Sequence, residues 1–420
     1  LKLRANVLCL SRSVATAAVL IGCASRALAQ IPTEVPDRQG WLLFPSFQAA
    51  AVYEDNVLFT PRPAFESWLT RFSPGLDALY RRGSRHFEAG YTFDAERYPE
   101  RFDTLNDVFA RQEGYAELRM LLNPRSSIVF SGTALETTRP EEVLDDTGLL
   151  SLRRRSRGIT ANALFERALT RRLSFNAGYA FSLRDFERPE GLSPRLGGTV
   201  HSLTAGSSFR HSIRMSSQVN YTLRVFVQDE LARELSPVNE FVSHVATYRF
   251  TRQLARNLGL VVALGPRFSE GLRLTDGAEL LERTREVSPE AFAALEYRGE
   301  GAFITARYTR SQSQAFGLTG FVDTQNGVVN ARFELGPRFH VEANPGVYQN
   351  ERAGILTTSY QAELKAEYRF STRAAFESAY LFQYQDRFLS LEDAPDSGGE
   401  GITRNTILFG LKLFTAIDAN

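Results

Sequence analysis

The chain has 420 residues, with 49 basic and 48 acidic side chains, 43% hydrophobic and 11% aromatic residues, and a formal net charge of +1. So even a balance gives no field for a nucleic-acid partner. Both cysteines, Cys9 and Cys23, fall in the N-terminal segment, so its removal would exclude disulfide frameworks, thiolate metal sites and cysteine nucleophiles together.

Residues 1–29 read as a signal peptide. Lys2 and Arg4 open a basic stretch, Val14 to Gly22 is mostly small and apolar, and Ala27-Leu28-Ala29 has the A-x-A form of a cleavage site. Leu20-Ile21-Gly22-Cys23 offers a competing lipoprotein box, with Cys23 as the lipidated residue. Cleavage after Ala29 is preferred, because strands that embed themselves in lipid gain little from an acyl chain. Residues 30–40 are read as an extended periplasmic lead-in, 41–414 as the folded body and 415–420 as a C-terminal tail.

Beyond Gln30 no stretch reaches the roughly 20 apolar residues of a helical membrane span; Leu258 to Leu264 comes nearest. The chain instead alternates. Phe87 to Ala95, Leu173 to Leu183, Val219 to Val227, Ala291 to Tyr297 and Phe376 to Tyr384 each place apolar residues at every second position. Tyr360 to Phe370 shows the pattern most plainly. Tyr360, Ala362, Leu364, Ala366, Tyr368 and Phe370 share one face, and Gln361, Glu363, Lys365, Glu367 and Arg369 share the other. The last such segment, Thr406 to Phe414, precedes the tail.

About 18 segments of this length predict an all-β transmembrane antiparallel up-and-down β-barrel, lipid outside and water inside. The count falls to 16 if the weak segments near Trp41 and Phe321 are not strands. Short connections such as Arg82-Gly83-Ser84, Asn123-Pro124, Thr170-Arg171-Arg172, His211-Ser212-Ile213, Gly299-Glu300-Gly301, Gly336-Pro337 and Ser371-Thr372-Arg373 alternate with long ones. The long ones are Glu54 to Phe65, Pro99 to Ala110, Pro140 to Arg155, Arg188 to Leu196, Glu270 to Arg283 and Asp386 to Glu400. Short periplasmic turns and longer outer loops place both termini in the periplasm, in the outer membrane of a Gram-negative bacterium. Tyr248 to Arg252 echoes Tyr368 to Arg373, which reads as an aromatic residue at the interface followed by a basic turn. A soluble sandwich would carry fewer aromatics on one face, and a propeller would show a blade repeat.

No motif predicts an enzyme or a bound cofactor. His86, His201, His211, His244 and His340 lack metal-ligand spacing, and a His–Ser pair for acyl transfer would have to form between strands. Glu141-Glu142-Val143-Leu144-Asp145-Asp146 is read as a solvated outer loop, with a divalent-cation site as the lesser alternative; Asp386 to Glu400 is read the same way. The expected lumen lining, by alternation, is Glu88, Asp94, Glu117, Arg119, Arg224, Glu290, Glu296, Arg298, Arg307, Glu363, Lys365, Glu367 and Arg369. In hydrocarbon each would cost several kcal/mol. Both signs occur, so the wall is mixed; the charges either face water or pair across strands and brace it. Phe226, Phe292 and Phe303 are the aromatic candidates for stacking a sugar in the lumen.

At the first outer loop, Val52-Tyr53-Glu54-Asp55-Asn56-Val57-Leu58-Phe59-Thr60-Pro61, followed by Trp68 to Leu79 with Phe72-Ser73-Pro74-Gly75-Leu76, resembles the β-barrel porin 2 family of outer-membrane proteins. The likeness extends through hairpins such as Leu173 to Tyr179. The resemblance implies a pore or export channel, associated with exopolysaccharide production. Its implied partners are outer-membrane lipid, polysaccharide and periplasmic export components. It supplies no catalytic residues, and Asp55 and Asn56 read as a turn-forming pair. A barrel plugged by loops and paired charges, structural or receptor-like, is the other reading, and a barrel hydrolase the third.

Overall fold

The computed structural model describes residues 39–60, 64–99, 109–143, 146–150, 153–187, 197–228, 238–274, 281–315, 320–352, 355–387 and 401–418. The signal peptide, its cleavage site, Cys23 and most of Asp386 to Glu400 lie outside the described residues.

Eighteen long antiparallel strands close into one barrel. The first half comprises β1 (Gly40–Glu54), β2 (Ser67–Arg82), β3 (Arg85–Arg97), β4 (Phe109–Asn123), β5 (Ser126–Thr137), β6 (Ser156–Ala168), β7 (Leu173–Phe186), β8 (Gly198–Ser212) and β9 (Met215–Gln228). The second half comprises β10 (Val238–Ala255), β11 (Leu258–Leu274), β12 (Leu281–Gly299), β13 (Ala302–Ala315), β14 (Gly320–Glu334), β15 (Phe339–Arg352), β16 (Ile355–Arg369), β17 (Ala374–Gln385) and β18 (Ile402–Phe414). Each strand pairs with its neighbour in sequence, and β1 pairs with both β2 and β18. Closure leaves no edge strand to be satisfied by lipid, which cannot hydrogen-bond. The segments near Trp41 and Phe321 are strands, so the count is 18 and not 16.

The two faces separate as the alternation requires. On β16, Tyr360, Leu364 and Tyr368 are exposed on the convex side, beside Phe376 and Tyr380 of β17. Phe409, Leu411 and Leu413 continue the surface onto β18. At one end of the first hairpin Trp41 packs on Tyr80, ring centroids 4.9 Å apart; at the other Tyr53 packs on Trp68 at 5.3 Å. Aromatic pairs at both ends of an apolar band are the girdles of a barrel in a bilayer. No helix among the described residues is long and apolar enough to cross a membrane; the crossings are made by strands. This is an outer-membrane architecture, and the rim carrying the short turns, the start of β1 and the end of β18 faces the periplasm.

On the concave side a polar pair bridges β2 and β4 over a glycine of the strand between them. Tyr115 of β4 reaches across Gly90 of β3 to donate to Asp77 of β2 at 2.9 Å. A Cβ on Gly90 would overlap both the tyrosine ring and the carboxylate. Gly90→Ala is therefore expected to break this bridge and lower stability by about 1–3 kcal/mol, the cost of leaving buried polar groups unmet. Thermal unfolding in detergent micelles checks it; an unchanged midpoint would show the bridge is dispensable.

Several connections differ from expectation. Beyond Glu270, β11 runs on to Leu274, and β12 starts at Leu281, because the alternation there continues through charged residues that read as loop. Tyr248 to Arg252 lies inside β10, short of the Arg256–Asn257 turn, so it is not a turn repeat. Only residues 353–354 separate β15 from β16 at the outer end, so long and short connections do not alternate strictly. The largest departure is the β5–β6 connection.

Candidate functional site

Thr137 and Ser156, the last residue of β5 and the first of β6, are directly paired. The chain between them could have been a tight turn. Instead it folds inward and touches strands all around the bore. It begins with one helical turn, α1 (Pro140–Val143).

Arg139 anchors its start, donating to Glu54 of β1 at 3.0 Å and to Glu96 of β3 at 2.7 Å. Arg153 anchors its end on the same two carboxylates, at 3.2 and 2.8 Å. Arg404 of β18 donates to Glu54 at 2.8 Å, and Arg71 of β2 to Glu96 at 2.9 Å. Glu54 is fully buried and Glu96 almost so. Such a cluster holds only because each buried charge has partners of opposite sign. Burial works against the Arg139 cation, but Glu96 and Glu54 outweigh it and hold its pKa well above the ordinary arginine value. Burial alone pushes the neighbouring Arg154 down to about 10; its guanidinium lies 5.0 Å over the Phe186 ring.

Between these anchors the segment visits successive strands. Val143 and Leu149 pack with Phe186, Val200, Phe226 and Val322, from β7, β8, β9 and β14. Its backbone is then held by a row of amides. Asn326 of β14 donates to the Asp146 carbonyl at 3.4 Å, Asn350 of β15 to Thr147 at 2.8 Å, and Gln361 of β16 to Gly148 at 3.4 Å. The Leu150 amide donates to Gln385 of β17 at 2.7 Å. Leu150 closes the circuit against Ile402 of β18 and Phe59 of the β1–β2 connection. Gly148 adopts a positive φ of 62° and faces the Tyr348 ring so closely that a Cβ would overlap it. Only glycine fits there.

The β1–β2 connection supports the same mouth. Phe59, at φ 57°, is the one non-glycine residue in the left-handed region among the described residues, and the Arg404 guanidinium sits 4.1 Å over its buried ring. Asn56 turns the chain, donating to Thr60 and to Thr403 of β18. Asp55 accepts from the Asn405 amide and side chain, both at 2.6 Å. This pair therefore clamps the seam between first and last strands as well as forming a turn.

Among its described residues the acidic stretch is solvated only in part: Glu142 is largely buried, while Asp146 is exposed. Glu142 accepts from Arg111 at 3.0 Å and Asp146 from Arg184 at 3.1 Å. Wall arginines hold these carboxylates, and no described cluster of carboxylates gathers there for a cation. The apolar Val143, Leu149 and Leu150 beside them were the sequence signal for insertion, since an outer loop has no reason to carry them.

Each residue expected to line the lumen occupies a register position on the concave face. Arg224 meets Glu290 at 2.7 Å, Lys365 meets Glu377 at 3.2 Å, and Arg369 meets Glu367 at 2.8 Å. Arg298 lies 3.5 Å from Glu296, Asp94 lies 3.8 Å from Arg111, and Arg119 is paired with Glu117. Glu88 accepts from Tyr115 and Glu363 from Asn344. Arg307 makes no ion pair among the described residues, standing between Ala294 and Val328. The sequence reading did not single out Glu54, Arg71, Glu96, Arg139, Arg153 or Arg404, the cluster that holds the inserted segment. The aromatic candidates differ in exposure: Phe226 is buried, Phe292 half-buried and Phe303 exposed. Phe226 packs on the segment, while Arg249 and Arg298 lie over Phe292 and Phe303.

Two histidines bond tyrosines on the convex face, His201 to Tyr179 at 2.8 Å and His244 to Tyr221 at 2.6 Å. His211 does meet a serine across strands, Ser217 at 2.8 Å. Its other ring nitrogen has no orienting carboxylate among the described residues, so the pair lacks the third member of an acyl-transfer site.

No family model matches the sequence, and no curated protein does. Among solved structures, the chain is similar to OccAB4 of Acinetobacter baumannii, with 8% identity over 91% of this chain and 99% of that one, TM-score 0.46. It is similar to a BenF-like porin from Pseudomonas fluorescens, with 9% identity over 89% and 99%, TM-score 0.45. A siderophore receptor of Acinetobacter baumannii, PirA, matches with 7% identity over 91% of this chain and 81% of its own, TM-score 0.44.

Proposed function

We propose that the protein is a non-enzymatic outer-membrane channel whose bore is held narrow by residues 138–153. The observation that carries this reading is the circuit of contacts. One segment is tied to β1 and β3 at both its ends and to β14, β15, β16 and β17 in between. An 18-stranded wall by itself encloses an aqueous channel, so the segment sets the cross-section. The mixed, paired charges of the wall suit a polar cargo without a strong preference of sign. The expected lumen residues are proposed to line the path on either side of the constriction.

The finer reading, passage of an exopolysaccharide, rests on the resemblance to the β-barrel porin 2 family. It requires the segment to give way, because a polymer needs a wider path than an ion. The alternative is a plugged barrel of structural or receptor type, and the same circuit favours it if the segment never moves. Single-channel recording in planar bilayers separates the two. Small or flickering currents, interrupted further by an added oligosaccharide, are expected of the channel. Silence from the native protein and equally from a form lacking the segment would sink it.

A further inference from the structure

The chain's net charge conceals a segregation along the barrel axis. At the periplasmic rim the short turns expose arginines, among them Arg82, Arg172, Arg214, Arg256 and Arg338. None of these is ion-paired among the described residues. The outer connections are richer in carboxylates; Asp386 to Glu400 carries Asp386, Glu392, Asp393, Asp396 and Glu400 against Arg387.

Beside all of these arginines but Arg82 stand exposed large apolar side chains. Ile213, fully exposed, precedes Arg214 at the tip of the β8–β9 turn. Leu169 stands with Arg172, Leu254 with Arg256, and Leu335, 61% exposed, with Arg338. The 370–373 turn repeats the pattern with Phe370 and Arg373.

We infer that this rim is a binding annulus for anionic phospholipid of the periplasmic leaflet, the turns that carry the pair setting an apolar residue among acyl chains and an arginine on a headgroup phosphate. Two observations choose lipid over a protein partner. The motif recurs on turns distributed around the barrel, whereas a protein docks on one side. All of these cations but Arg82 also have an exposed apolar neighbour, which suits the boundary between hydrocarbon and headgroup rather than an aqueous polyanion. Arginine matches phosphate geometry with paired donors, and the chain has used arginine almost to the exclusion of lysine. This inference does not depend on conduction through the bore.

The test uses the full mature chain, purified, delipidated, and mixed with phosphatidylglycerol or phosphatidylcholine in detergent. Bound lipid is counted by native mass spectrometry. Phosphatidylglycerol retention should exceed that of phosphatidylcholine and fall in high salt. Replacing Arg172, Arg214, Arg256 and Arg338 by Gln should reduce it by about fivefold per arginine lost, following the electrostatic attraction of basic residues to anionic leaflets. The corresponding lysine variants should retain most of it. Equal retention of the two lipids, or a Gln variant like the native protein, overturns the proposal. So does displacement of the lipid by poly-glutamate at low concentration, which would point to an acidic protein partner. Since the turns lie outside the strand ladders, heat-modifiable migration on gels confirms that each variant is folded.

Discussion

Replacing residues 139–154 by an Asn-Gly turn is expected to raise single-channel conductance by roughly an order of magnitude, since the wall of an 18-stranded barrel leaves an aqueous channel when nothing fills it. The strands tolerate the change in principle, because Thr137 and Ser156 are already partners and a tight turn can join them. What is lost is the ring of contacts from Asn326, Asn350, Gln361 and Gln385, with the apolar packing of Leu149 and Leu150. A variant lacking a whole segment could fail to insert. Gly148→Val asks the same question with the segment intact. Its side chain would meet the Tyr348 ring and its backbone would be strained at φ 62°, so the segment must shift while the strands keep their pairing. Both variants should conduct more than the native protein. Two folded variants with native conductance would remove the segment from any role in the path.

The architecture was legible because alternation is a property of each strand by itself. Tyr360 to Phe370 announces its two faces without reference to any neighbour, and repetition of the pattern implies a closed wall. The expected inner charges share one side of the sheet, as the alternation alone requires. The inserted segment was not legible for the opposite reason. Glu54 and Glu96 stand at strand ends where alternation no longer distinguishes wall from loop. Arg139 and Arg153 lie in a connection that a count of charges reads as solvated. Their meeting depends on a fold-back that joins residues about a hundred positions apart. Partial signals existed: Val143, Leu149 and Leu150 are out of place in an outer loop, and Gly148 lies among them. Asp55 and Asn56 were read locally as a turn, and their second role emerged only when β18 came alongside.

Glu54 is the residue whose loss should matter most to the seating of the inserted segment. Its two carboxylate oxygens hold Arg139, Arg153 and Arg404 together, and its side chain is entirely buried. In Glu54→Ala Arg404 would lose this carboxylate, and Arg139 and Arg153 would remain with Glu96, itself already shared with Arg71, and with Glu142 3.9 Å from Arg139. Leaving buried charge uncompensated in this way costs about 3–5 kcal/mol. The wall and the segment do not share that cost equally. β1 is held on both sides by its ladders to β2 and β18, whereas Arg139 and Arg153 can relieve their repulsion by swinging toward water. The segment is therefore expected to detach before the barrel unfolds. Trypsin reads this directly, because it cleaves after arginine and Arg153, Arg154 and Arg155 lie in sequence. Native protein should be cut slowly there and Glu54→Ala rapidly, with the barrel still migrating as a folded species. Glu54→Gln keeps hydrogen-bond acceptance but loses the charge, so its cleavage rate should fall between the two. Equal protection in all three would mean that the amide row and apolar packing hold the segment unaided, and that the ion cluster serves the β1–β18 seam instead.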